Sequence, residues 1–144
     1  MKILTNGFFA FFIVSITLLY SCTYTQNYTP ELNDKQQSIA DTINSKYHFE
    51  AINITGKKIS GPNGKHNILF IQFINGVNIP GNTDEEKTIG KQLGQLVIKA
   101  LKDPKQFDGY TIGFDTRKID GAITTNRFYN YDFTPAEMAG TILY

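Results

Sequence analysis

The sequence predicts an α+β domain, a two-layer sandwich in which a four-stranded, mainly antiparallel sheet carries two longer helices on one face. Three observations predict it. Two stretches, Leu32 to Tyr47 and Ile89 to Leu101, place apolar residues on a helical stripe. Each is followed by two β-leaning stretches around a Gly-containing turn, the pattern of a hairpin. The order is therefore αββαββ with a short C-terminal helix, and two hairpins pack most simply as one sheet beneath both helices. Each half is a helix followed by a hairpin, but no residue-level repeat accompanies that symmetry.

The 144-residue chain opens with Met1-Lys2 and an apolar run from Phe8 to Tyr20, and no charge falls between Lys2 and Glu31. A positive start, a short apolar core and a small residue before a cut form the layout of a secretory signal. A spanning helix needs about 20 apolar residues; this run is shorter and no cluster of Lys or Arg follows it. Its end, Leu19-Tyr20-Ser21-Cys22, resembles the bacterial lipobox, with Leu three before and a small residue one before the Cys. Tyr20 stands where a small residue is more usual. The resemblance covers residues 1–22 and implies diacylglycerol transfer to the Cys22 thiol with cleavage just ahead of it. The other reading is a plain secretory signal with a chance Cys near the cut.

Cys22 is the only cysteine, so no intramolecular disulfide forms and the core must hold the fold by itself. A lone thiol in an exported protein is otherwise a reactive liability. One acyl chain holds a protein only marginally, and two or three anchor it stably. The division expected is a signal peptide over 1–21, a lipidated tether over 22–30 and one α+β domain over 31–144. Losing Lys2 leaves 13 basic against 13 acidic side chains. That balance offers nothing to nucleic acid or to polybasic membrane adhesion. Thr23 to Thr29 carries no acidic residue, which resembles periplasm-facing lipoproteins of the cell membrane or outer membrane.

Within the domain, Thr29 as cap, Pro30 at the first helical position and Glu31 in the first turn predict a helix over 30–46. Phe49 to Ser60 and Asn67 to Asn75, around Gly61-Pro62-Asn63-Gly64, predict the first hairpin. Ile68 to Ile74 is apolar on both alternating faces, which fits a central strand covered on both sides or one with an exposed apolar face. Thr83-Asp84-Glu85-Glu86 matches a capping box and opens the second helix, which ends before Pro104. Gly90 and Gly94 inside it each lower helix propensity by about 1 kcal/mol, a cost usually offset by close approach of another backbone. Tyr110 to Asp115 and Ile123 to Phe133 alternate as strands joined at Asp120-Gly121. Thr134-Pro135-Ala136-Glu137 opens a short helix running towards Leu143. Tyr110, Ile112, Phe114, Ile123, Tyr129, Tyr131 and Phe133 are expected to face the helices.

Residues that carry chemistry are few. His48 and His66 fall at opposite ends of the first hairpin, so they read as edge histidines and not as a metal pair. Asp84-Glu85-Glu86 reads as dipole compensation. The run Asp115 to Gly121 lacks the intervening oxygen side chains of a calcium loop. Gly61 to Lys65 leads to a strand where a phosphate loop needs a helix. No Ser sits in a Gly-x-Ser-x-Gly elbow. Asn27-Tyr28-Thr29 and Asn53-Ile54-Thr55 match an acceptor motif used in eukaryotes, and Asp41-Thr42-Ile43 resembles an O-glycosylation motif of some bacteria, inside an expected helix. No cofactor is implied.

A surface remains. If Leu69, Ile71 and Phe73 face the helices, Ile68, Phe70 and Ile74 lie on the opposite face with Phe128 among uncharged polar groups. An apolar patch of that kind marks a partner site unless the tether or the terminal helix covers it. The expected function is a non-enzymatic, membrane-anchored lipoprotein, held by acyl groups on Cys22, that binds a protein partner or a second copy through Ile68, Phe70, Ile74 and Phe128. Two other readings stand beside it. One is a periplasmic immunity or inhibitor lipoprotein against a toxin or hydrolase. The other is a small enzyme whose site joins Asp, Tyr and Arg residues such as Arg127 with Tyr129.

Overall fold

The computed structural model describes residues 23–62, 64–81 and 83–140. The order is β1 (Tyr24–Tyr28), α1 (Gln36–Tyr47), β2 (Ala51–Gly61), β3 (Gly64–Ile74), α2 (Thr83–Lys99), a 3-10 turn (Pro104–Gln106), β4 (Gly109–Asp120), β5 (Ile123–Phe133) and α3 (Pro135–Met138). The strands form one sheet in the order β1-β2-β3-β4-β5. The α+β class holds, with both longer helices on one face. The strand count and the pairing differ from expectation.

The sheet has five strands, not four, and it is mixed. Tyr24–Tyr28, expected to lie in a free tether, pairs antiparallel with β2 from Tyr24↔Ser60 to Tyr28↔Gly56. The Tyr28 ring lies over Gly56, where a Cβ would come within 2.2 Å of it, and its hydroxyl donates to Asn67 Oδ1 at 2.8 Å. Both hairpins are antiparallel, but β3 pairs with β4 in parallel from Ile68↔Gly109 to Ile74↔Asp115. The cause is α2, which carries the chain back along the sheet so that β4 starts from the same end as β3.

Helix α1 begins at Gln36, six residues later than the Thr29-Pro30 signal predicts. The segment before it caps α2 instead. Asn33 N–H donates to Ala100 O at 2.8 Å, Lys102 N–H donates to Glu31 O at 3.0 Å, and Asn33 Nδ2 donates to Lys99 O at 2.8 Å and Leu101 O at 3.1 Å. The three Asn33 bonds satisfy carbonyls that a helix end leaves open, and the Lys102 bond ties the chain after α2 back to Glu31. Glu31 adds an ion pair with Lys102 at 2.9 Å. At the other end α1 closes on His48, whose φ of 46° is left-handed and whose N–H donates to Asn44 O.

The alternation along β3 decides the layers. Leu69, Ile71 and Phe73 are buried under the helices with Ile112 and Phe114 of β4, Ile43 of α1, and Leu93 and Val97 of α2. Phe73, Phe49 and Phe114 form a triangle of rings, with the Phe73 centroid 4.8 Å from Phe49 and 5.6 Å from Phe114 and those two 6.4 Å apart. The two helix glycines earn their place here. A Cβ on Gly94 would come within 2.7 Å of Ile112 Cδ1 and Met138 Cε, and one on Gly90 within 3.1 Å of Phe114 Cε2. The close approach they permit is to side chains of β4 and α3, so α2 sits low on the sheet. Helix α3 carries the expected capping box, Thr134 with Glu137. It is four residues long: contrary to the expected run towards Leu143, it stops at Met138 and gives way to a turn at Ala139 and a bend at Gly140, while residues 141–143 lie outside the described residues.

Candidate functional site: the open face of the sheet

Pleating sends every second side chain away from the helices. On that face the register aligns Phe70, Thr111 and Asp132, then Gln72, Gly113 and Asn130, then Ile74, Asp115 and Phe128. Ile68, Phe70 and Ile74 are partly buried, and Phe128 is 50% exposed. Glycine at position 113 matters because two rings lean over it. A Cβ there would lie 3.5 Å from Phe70 Cζ, 3.7 Å from Phe128 Cε2 and 2.7 Å from Asn130 Oδ1. The sheet thus brings Phe70 and Phe128 to either side of one position, although β4 runs between their strands. Ile68 lies at one end, its Cδ1 3.0 Å from a Cβ on Gly109. Ile74 lies at the other end, opposite Asp115 in the register.

The polar groups around the rings are engaged with one another. Lys57 Nζ sits 3.9 Å from the Phe70 ring centroid, a cation-π contact. Thr111 Oγ1 donates to Asp132 Oδ1 at 2.6 Å, and Gln72 Nε2 approaches Asp115 Oδ2 at 3.5 Å. Beside Phe70 lies a shallow hollow of about 390 Å³, lined by Lys57, Ile59, Ile68, Thr111 and Asn130 among others. Neither of the segments expected to close the face does so among the described residues. β1 extends the sheet at its edge, and α3 packs on the helix side, where Gln95 Nε2 donates to Met138 O at 3.0 Å.

The β4–β5 hairpin reaches past the rest of the sheet. β3 ends opposite Asp115, whereas the hairpin runs on through Thr116↔Arg127 to Asp120↔Ile123 with no third strand. Asn75 closes the β4 edge at the point of departure, its Oδ1 accepting from Arg117 N–H at 2.7 Å. Of the residues in β5, all but Arg127, Tyr131 and Phe133 are exposed. Tyr129 and Ile123, expected to face the helices, remain exposed, Ile123 at 69%. They lie on the helix side of the sheet, Tyr129 on its edge strand and Ile123 in the part of the hairpin that runs on beyond β3.

A second cluster lies on the helix side. Glu86 is 1% exposed, pairs with the Arg127 guanidinium and accepts from Tyr131 Oη at 3.3 Å. Arg127 Cζ also lies 4.5 Å from the Tyr129 ring centroid. Burial pushes the Glu86 carboxyl above its ordinary range, and the Arg127 charge and the Tyr131 hydrogen bond pull against that rise. Glu86 was expected as a capping residue of the first turn. Thr83 is instead the first helical residue and Glu86 turns inwards. The signal was its position four residues before Gly90 and seven before Leu93, on the buried stripe. The Arg127–Tyr129 pair proposed for an enzyme site is therefore bound into a strap between α2 and β5.

Cys22 lies outside the described residues. Its neighbour Thr23 sits against the β2–β3 turn, with Cα 3.6 Å from a Cβ on Gly61. His48 and His66 lie at opposite ends of the first hairpin, as the spacing requires. Among the described residues no group of three or more His, Cys, Asp or Glu side chains is placed to hold a metal ion. Nor is any helix among them long and apolar enough to cross a membrane. Thr42 is exposed on α1 with its hydroxyl donating to Ser38 O. The chain matches no protein-family model, no curated protein and no solved structure.

Proposed function

We propose that this chain is a periplasm-facing lipoprotein, anchored by acyl groups on Cys22, whose domain acts without catalysis by binding a protein through its open sheet face. The observation that carries the reading is the pair Phe70 and Phe128 converging over Gly113 on a face that no described segment covers. Large apolar groups exposed together, rimmed by hydrogen-bonded polar side chains, are what a protein interface core is made of. The anchor reading is supported by Leu19-Tyr20-Ser21-Cys22 and by the place where the chain enters the domain. Tyr24 starts β1, so the described chain enters the domain at the sheet edge opposite β5. Four strand spacings, about 19 Å, separate the two edges. The Phe128 side therefore lies at the edge away from the point where the chain enters the sheet.

Two measurements test the two halves. Phe70→Asp with Phe128→Asp is expected to abolish the protein recovered by cross-linking in the membrane fraction while leaving the thermal unfolding midpoint within a few degrees of wild type. Undiminished recovery would end the open-face reading. Cys22→Ser is expected to move the chain from the membrane to the soluble fraction and to remove the acyl mass from the mature amino terminus. A variant that stays with membranes would show that the attachment lies elsewhere.

A further inference from the structure

We infer that β5 is a self-pairing edge, through which two copies of this chain join their sheets antiparallel about a two-fold axis at Phe128. The inference goes beyond the open-face reading, on which it rests for the role of Phe128, by placing a second copy at the sheet edge beside that face.

The first ground is that the edge is unguarded. Sheets usually protect a free edge with Pro, Lys, a bulge or a short strand. β5 pairs with β4 over eleven unbroken positions, from Asp120↔Ile123 to Tyr110↔Phe133, without a bulge. Its sequence, ITTNRFYNYDF, contains neither Pro nor Lys. The other edge, β1, is five residues long. Nothing among the described residues pairs with the outer side of β5.

The second ground is the order of side chains. β5 spans 123–133, so its middle residue is Phe128. A two-fold axis there sets Phe128 against its own copy, Asn126 against Asn130, and Thr124 against Asp132, all on the open face. On the helix side it sets Arg127 against Tyr129, a cation against a ring, the contact these two already make within one chain at 4.5 Å. No like charges meet. The two charged side chains of the strand also have partners at home, Arg127 in an ion pair with Glu86 and Asp132 as acceptor of a hydrogen bond from the Thr111 hydroxyl. Directly opposed residues in antiparallel strands are the pairs that stabilise a sheet, and an isologous interface requires this kind of self-complementarity. Pairing would also give the projecting part of the ribbon the third strand it lacks, where a two-stranded ribbon alone is marginal. In the ten-stranded product the two Phe70–Phe128 patches become continuous, and the β1 edges lie outermost.

The test is a charge exchange at Asn126 and Asn130, both exposed and distant from the core. It is read by sedimentation of the detergent-extracted full chain over a concentration series, with unfolding midpoints as the folding control. Wild type is expected to sediment as a dimer. Asn126→Lys with Asn130→Lys puts two Lys–Lys pairs across the axis and is expected to raise the dimer dissociation constant about tenfold or more. Asn126→Lys with Asn130→Glu makes the same pairs attractive and is expected to restore wild-type association. Phe128→Cys should then form a disulfide-linked dimer on oxidation, with the parent chain, which carries only Cys22, as the control for any bond made there. A wild type that stays monomeric overturns the inference, and so does a Lys/Glu variant that dissociates like the Lys/Lys one. If the dimer is absent while Phe70→Asp with Phe128→Asp still removes a captured protein, the self-pairing fails and the open-face reading stands.

Discussion

Phe73→Ala is expected to lower the stability of the domain by about 4 kcal/mol, the cost of removing a large ring from a tightly packed core. Phe73 is 1% exposed on the middle strand, touches Phe49 and Phe114, and lies beneath both helices. Its neighbours are rings and branched side chains set by strands on either side, so the void cannot close by rotation of one group. For a domain of this size the loss corresponds to a fall in Tm of roughly 15 °C. Phe70→Ala, three residues earlier on the same strand, is expected to cost about 1 kcal/mol, because its ring lies partly in solvent on the open face. Urea unfolding of the two variants compares the faces directly. Equal losses would mean that the open face is covered.

The second large effect is an asymmetry between the partners of one ion pair. Arg127→Ala is expected to cost about 3 kcal/mol at pH 7, since it leaves the Glu86 carboxylate, 1% exposed, without its cation. The Arg127 side chain is 34% exposed, which keeps the figure at the low end for broken buried pairs. Glu86→Gln is expected to change stability by no more than about 1 kcal/mol, because it removes the buried charge, keeps a hydrogen-bonding group for Tyr131 and lets Arg127 turn to water. The pH dependence follows from the direction of the Glu86 shift. Burial raises its folded-state pKa above the unfolded value, so its contribution is fully present below the ordinary carboxylate pKa and is lost as pH rises through the raised one. The deficit of Arg127→Ala is therefore expected to narrow between pH 7 and pH 4, as Glu86 becomes a neutral acid. Glu31 and Glu137 work in the opposite sense. The Lys102 bond and the Thr134 backbone bond hold their carboxyls below the ordinary range, so what they contribute is lost as pH falls. Urea unfolding at both pH values separates the two behaviours.

Much of this fold was legible along the chain because its causes are local. The stripe from Ile89 to Leu101 marked α2, and Thr134 to Glu137 marked a helix start with both halves of its capping box formed. The alternation of Leu69, Ile71 and Phe73 with Ile68, Phe70 and Ile74 separated the two faces of β3, and the burial of the first set follows it. The patch was named from that alternation. What brought Phe70 and Phe128 together was less visible, because it needs glycine at position 113 on the strand between them.

The remaining differences share one origin. Tyr24 to Tyr28 has no apolar alternation and reads as a tether; it becomes a strand because β2 offers a free edge and Gly56 leaves room for the Tyr28 ring. Pro30 and Glu31 carry a sound helix signal, overruled by hydrogen bonds to the end of α2, about seventy residues away. Glu86 has an ordinary place in a first turn, and only the arrival of Arg127 on β5 makes it a buried partner. The sequence by itself determined α2, the two hairpins and the start of α3, since periodicity and capping act within one or two turns of chain. Tertiary structure alone decided the fifth strand, the parallel join and the Glu86 strap. Each depends on which distant backbone edge or charge becomes a neighbour, and no local pattern records that.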